Sequence, residues 1–154
     1  MSGGPIILTL TSWAEQRLQN VFTAKTEAAF DDAFDALVGT HATITVNGQK
    51  TSRAAYKKLL RSEEANETSG SVSFKGAVEV VKDTKALIPT GEVGVFFEAT
   101  VHHKLLLFSN NITSSINLIV ENVNTKPGEP EFDGRVATTI DQVYTDVPSI
   151  VERK

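Results

Sequence analysis

The chain has 154 residues, a formal net charge of −4 and no cysteine. With 40 % apolar and 22 % charged residues it has the balance of one globular domain, not of a disordered, collagen-like or coiled-coil chain. The acidic excess argues against binding nucleic-acid phosphates, and the lack of cysteine excludes disulfides, Cys–zinc sites and thiol catalysis.

No apolar run approaches the roughly 20 residues of a membrane-spanning helix. The stretch Pro5–Leu10 is too short for a signal-peptide core and has no basic flank, so an intracellular, cytoplasmic protein is expected. Ser12-Trp13-Ala14-Glu15 fits a capping box, and Leu10, Trp13, Ala14, Leu18, Val21 and Phe22 recur at helical spacing. These predict a helix over 12–24. A second helix over 26–38 gathers Ala29, Phe30, Ala33, Phe34, Leu37 and Val38 on one face, with Gly39 placed to cap it at positive φ. His41–Val46 alternates as a strand and ends in Asn47-Gly48, the pair favoured in a two-residue hairpin turn. Thr51 or Ser52 starts a third helix, 52–64, with Ala55, Tyr56, Leu59 and Leu60 inside and Arg53, Lys57, Lys58 and Arg61 outside.

The period changes to two from Ser69. Val72, Phe74, Gly76, Val78 and Val80 are expected on one side of a strand, with Ser71, Ser73, Lys75 and Glu79 on the other. Residues 92–108 read as one long strand, with Val93, Val95, Phe97, Ala99, Val101, His103, Leu105 and Leu107 on one face. Ser109-Asn110-Asn111 reads as a turn, Ile112–Val120 as a strand, and 135–144 as the last strand. Helices first and long antiparallel strands after them make an α+β domain over residues 11–145, with tails at 1–10 and 146–154. Strands of this length must curve around the helices, giving a cone with an internal pocket.

This order resembles the nuclear-transport-factor-2-like superfamily, which includes SnoaL-like cyclases and ketosteroid isomerase-like enzymes. The resemblance is carried by the early Trp13, by Asp35-Ala36-Leu37-Val38-Gly39, by Val46-Asn47-Gly48 and by the helix within Thr51–Leu60. It covers about residues 11–145 and implies three helices packed in the concave face of a strongly curved, mostly antiparallel sheet. The isomerase pattern of a first-strand aspartate and a helix-1 tyrosine is not matched: Thr43, Thr45 and Asn47 occupy that strand, and the tyrosines are Tyr56 and Tyr144. SnoaL-like members often carry a histidine–aspartate pair in the pocket.

His103 is the one ionisable side chain on its apolar strand face. It either moves protons in the pocket or is a core histidine bonded to a carbonyl. Asp35 is the candidate to orient it, or else part of a solvated acidic face with Asp31. Trp13, Phe34, Tyr56, Phe74 and Phe97 either line a pocket for a small apolar ligand or fill a core. Three histidines, two of them adjacent, give no metal-ligand pattern, and no phosphate loop or serine elbow occurs, so no metal or cofactor is expected. Phe96, Leu106 and Phe108, with Ile119 and Val123, make the second sheet face a surface for homodimerisation. Two function classes follow. One is a pocket protein, as a binder or as a cofactor-free cyclase, dehydratase or isomerase acting on a carbonyl-bearing molecule. The other is a protein-interaction module.

Overall fold

The computed structural model describes residues 7–61, 68–103, 108–123 and 133–150, with the backbone alone at 68–70, 101–103, 108–110 and 148–150. The elements run α1 (Leu10–Thr23), α2 (Glu27–Leu37), β1 (Val38–Val46), β2 (Gln49–Thr51), α3 (Arg53–Arg61), β3 (Thr68–Val81), β4 (Gly91–His103), β5 (Phe108–Asn122) and β6 (Arg135–Ile150). The six strands form one curved sheet in the order β2-β1-β6-β5-β4-β3. Strands β3 to β6 are a plain antiparallel meander, and β6 then lies parallel to β1. The fold is therefore α+β, with three helices on the concave side of a mostly antiparallel sheet. No helix among the described residues is long and apolar enough to cross a membrane.

Local chemistry explains most element ends. The N-cap of α1 is Thr9, whose Oγ1 accepts from the Ser12 amide at 3.2 Å, so the helix starts a turn before the Ser12–Glu15 box. Thr26 caps α2 through the Ala29 amide at 3.1 Å, and Ser52 caps α3 through the Ala55 amide at 3.1 Å. Asn47 (φ 50°) and Gly48 (φ 80°) make the expected tight turn between β1 and β2. That turn is also stitched to β6: the Asn47 amide donates to the Gln142 carbonyl and Asn47 Oδ1 accepts from the Tyr144 amide, both at 2.8 Å.

Several expectations need correction. Gly39 is not a helix cap; Val38 is, and Gly39 lies in β1, where a Cβ would come 3.1 Å from the Ala137 carbonyl oxygen. The ladder between β1 and β6 pairs Val38 with Ala137 and Thr43 with Thr139, so residues 39–42 bulge out of it. Ser109–Asn111 belong to β5 rather than to a turn. Asn111 pairs with Thr100, and the Thr100 hydroxyl donates to Asn111 Oδ1 at 3.3 Å. Cross-strand pairing here overrides the turn preference of the asparagines.

The largest correction is on β3. Phe74 pairs with Phe97 and Gly76 with Phe96, which leaves Lys75 in a bulge. One extra residue reverses the parity beyond it. Val72 and Phe74 stay on the helix side, but Val78 and Val80 go to the outer face, where they stand 67 % and 66 % exposed. Glu79 moves the other way. Its Oε1 accepts from the Thr11 hydroxyl at 2.7 Å and the Thr11 amide at 3.2 Å, setting a carboxylate at the N-terminus of α1, where the helix dipole favours it.

The core is continuous between helices and sheet: Leu10, Trp13, Leu18, Phe34, Leu37, Ile44, Tyr56, Phe97, Ile116, Leu118 and Ile140 are all essentially inaccessible. Gly91 closes the β3–β4 connection at φ 144°, and a Cβ there would overlap the Val80 carbonyl oxygen. Gly91→Ala is therefore expected to cost more than about 1 kcal/mol. For a chain of this size that lowers the thermal midpoint by at least about 2–4 °C, measurable by circular dichroism.

Candidate functional site

The aromatic residues singled out from the sequence do come together on the concave side. Phe97 meets Phe22 at 5.5 Å and Phe74 at 6.1 Å between ring centres, and Phe34 meets Tyr56 at 6.1 Å and Phe30 at 6.2 Å. Trp13, Phe34, Tyr56 and Phe97 are fully buried, with Phe74 packed against them from a partly open position. All five belong to the one core that packs between helices and strands.

A buried polar chain crosses this core. The Tyr56 hydroxyl donates to Gln142 Oε1 at 2.5 Å, and Gln142 Nε2 donates to the Ser114 hydroxyl at 2.9 Å. Burial pushes the Tyr56 hydroxyl far above its ordinary value of 10.0, so it stays protonated and its proton is committed to Gln142. Beside this chain lies a cavity of about 20 Å³ bounded by Phe22, Leu59, Leu60, Ile112, Gln142, Tyr144 and Asp146. That is room for about one water molecule. Gln142 and Ser114 were not among the candidates read from the sequence. Their signal was a polar residue at an inward position on each of two neighbouring strands.

The backbone of His103 ends β4 opposite Thr68, and its side chain lies outside the described residues. Asp35 is placed on the open side of α2, its side chain 59 % exposed, with Oδ1 2.9 Å from Arg53 Nη2. One turn earlier, Asp31 Oδ1 lies 2.9 Å from Lys57 Nζ. The acidic row of α2 and the basic row of α3 thus face each other. Arg53 also stacks over Phe34 at 4.9 Å, Lys57 over Phe34 at 5.6 Å and Arg61 over Phe30 at 5.4 Å. The row expected to point outward from α3 turns toward α2, and of the expected inner residues only Tyr56 is buried; Leu59 is 43 % exposed. Arg53 further donates from Nε to the Gly39 carbonyl at 3.1 Å and from Nη2 to the Val38 carbonyl at 3.0 Å, tying α3 to the start of β1.

A second polar centre sits at the first turns of α1. Arg135 is buried and grips Asp133 with Nε to Oδ1 at 2.9 Å and Nη2 to Oδ2 at 2.8 Å. Its Nη1 donates to the Leu8 carbonyl at 2.9 Å and the Pro89 carbonyl at 3.2 Å, joining three distant segments. Hydrogen bonds from the Arg135 guanidinium hold the Asp133 carboxyl below the usual carboxylate range. Among the described residues no three His, Asp or Glu side chains gather as a metal site requires.

The outer face of the sheet has no helix over it among the described residues. Cross-strand registers place Gly76, Phe96, Ser115 and Val143 in one row, Val78, Gly94, Asn117 and Asp141 in the next, and Val80, Glu92, Ile119 and Thr139 in a third. Phe96 is 44 % and Val143 59 % exposed. Gly94 makes a dent between Val78 and Asn117; a Cβ there would come 2.8 Å from Asn117 Oδ1. The groove over this dent has a volume of about 330 Å³. Phe96 and Ile119 are thus on the face expected for pairing, Val123 is exposed at the end of β5, and Leu106 and the Phe108 side chain lie outside the described residues.

No protein-family model matches the sequence, and no curated protein matches it. Among solved structures the chain is similar to one described as "Sac3N peptide bound to Mex67:Mtr2", at 9 % identity over 90 % of this chain and 94 % of that one, with a TM-score of 0.42.

Two outcomes follow from the buried polar groups. Tyr56→Phe strands Gln142 Oε1 without its donor, which costs about 1–3 kcal/mol and lowers the urea midpoint with little change in slope. Because Asp133 titrates lower in the folded chain than in the unfolded one, its contribution is present at neutral pH and is lost as pH falls through its depressed folded value. Melting curves between neutral pH and about pH 3 should therefore show Asp133→Asn less stable than wild type at neutrality and less sensitive to acid.

Proposed function

We propose that this chain is a protein-interaction module that pairs with a second copy of itself through the outer face of its sheet. The observation that carries the reading is the contrast between the two faces. The concave side is occupied by its own aromatic side chains. The outer side leaves Val78, Val80, Phe96, Ile119, Val143 and Val147 exposed. Exposed apolar side chains gathered on one uncovered sheet face are costly in water and mark interfaces on soluble domains.

The row Gly76–Phe96–Ser115–Val143 alternates small and large residues across the four meander strands. In a two-fold pairing the same patch serves both protomers, so each large side chain needs a small neighbour on the other copy. Phe96 and Val143 supply the projections, and Gly76 and Ser115 the recesses. Acid–base chemistry in the hollow needs space for a substrate beside the aromatic set. The cavity that the described residues enclose beside Gln142, at about 20 Å³, has room for about one water.

Sedimentation velocity and light scattering at tens of micromolar protein are expected to give twice the chain mass. Phe96→Glu combined with Val143→Glu should give the monomer mass, with an unchanged far-ultraviolet circular dichroism spectrum. A wild-type monomer, or a double variant that stays dimeric, overturns the reading.

A further inference from the structure

Among the described residues, the polar centre at the start of α1 holds two guanidinium groups and one carboxylate. Arg17 and Arg135 both bring their guanidinium carbons near the Trp13 ring, at 5.9 and 5.8 Å from its centre. One carboxylate serves the pair, and it is taken: Asp133 Oδ1 and Oδ2 both accept from Arg135, and Oδ1 also lies 3.3 Å from the Arg135 amide. The Asp133 charge also acts on Arg17, but only through space, and Arg17 Nε is buried without an acceptor.

A second orphan lies beside it. Trp13 is wholly buried, and its Nε1–H also has no acceptor. Trp13 and Arg17 are four residues apart on α1, so they are neighbours on one face of the helix. Buried donors without acceptors are rare in folded chains, and two partly desolvated cations sharing one carboxylate leave positive charge uncompensated. Two such donors lie on adjacent turns beside a pair of guanidinium groups that share one carboxylate. An acceptor for both must carry negative charge and at least two oxygens, one for the indole N–H and one for the guanidinium.

We infer that Trp13 and Arg17 form a binding site for a small oxyanion, a carboxylate or a phosphate, with the Arg135–Asp133 pair as its fixed wall. The site is separate from the outer sheet face and does not depend on pairing there. Arg17 is only half-buried, so the anion reaches the site from the Arg17 side.

Trp13 is the chain's single tryptophan, so its emission reports on the site directly. The full chain is titrated with sodium phosphate and, separately, with sodium acetate, each against sodium chloride at matched ionic strength. A saturable change in indole emission and a thermal midpoint that rises with ligand are expected for at least one of the two oxyanions and not for chloride. Saturation by phosphate alone or by acetate alone identifies the source. In Arg17→Gln the affinity should fall about tenfold or more, as loss of a charge-assisted hydrogen bond implies. Arg17→Lys, which keeps the charge but loses the Nε donor, should bind more weakly than wild type and more tightly than Arg17→Gln. The proposal fails if neither oxyanion saturates, if chloride gives the same response, or if both variants respond as wild type does; in each of these outcomes the two donors are met by water alone.

Discussion

A six-stranded sheet has two faces, and three short helices are enough to cover only one. The covered face must close around its contents, and here the contents are large: Trp13, Phe34, Tyr56 and Phe97, each worth about 1.5–3 kcal/mol when fully withdrawn from water. Four such groups cannot be buried against a flat sheet by helices of 14, 11 and 9 residues. The strands bend around them, and the bulges at Lys75 and at residues 39–42 occur within that bent surface. With the helices on the concave side, Val78, Val80, Phe96, Ile119, Val143 and Val147 are left in water on the far side of the same strands. The covered interior and the uncovered exterior are two results of one constraint.

Charge is organised around the same centre. The ladder of Asp31 and Asp35 against Lys57 and Arg53 clamps α2 to α3 over the Phe34 ring, so the cations cover aromatic surface as well as pairing with carboxylates. Ion pairs this exposed contribute little individually, typically under about 1 kcal/mol. Their effect is directional: with Arg53 also bonded to the Val38 and Gly39 carbonyls, they fix where α3 sits on the start of β1. Arg135 acts similarly at the other end, where one buried guanidinium joins the residue before the α1 cap, the loop before β4 and the segment entering β6.

Local signals made the helices and hairpins legible in the sequence. The apolar stripes of α1 and α2, the Ser52 cap and the Asn47-Gly48 turn depend on residues a few positions apart, and they appear where periodicity and turn chemistry put them. The alternation of Val93, Val95, Phe97 and Ala99 was also readable, because the bulge between β3 and β4 falls on β3 and the β4–β5 ladder runs without a shift. What could not be read depends on partners far along the chain. Nothing near Lys75 announces a bulge, yet it decides that Glu79 meets α1 and that Val78 and Val80 meet solvent. The basic face of α3 looked solvated because its acidic complement is 18 to 26 residues earlier. Periodicity puts the aromatic residues on inward faces, but whether they line a space or fill it depends on the bend of the sheet. Gln142 and Ser114 were hidden for the same reason: an inward polar residue becomes visible as a network only when two strands are in register.

The bulge at Lys75 has another effect, on how this chain meets others. β3 is an edge of the sheet, paired on one side only, and it is 14 residues long. A straight strand of that length with exposed valines would offer a row of free amides and carbonyls to any extended chain, the usual start of edge-to-edge aggregation. The extra residue interrupts that row near its middle and places a lysine there, and Gly76 beside it supplies no side chain to pack against an added strand. The opposite edge, β2, is only three residues long. With both edges made poor templates, the sheet offers little to open-ended strand addition.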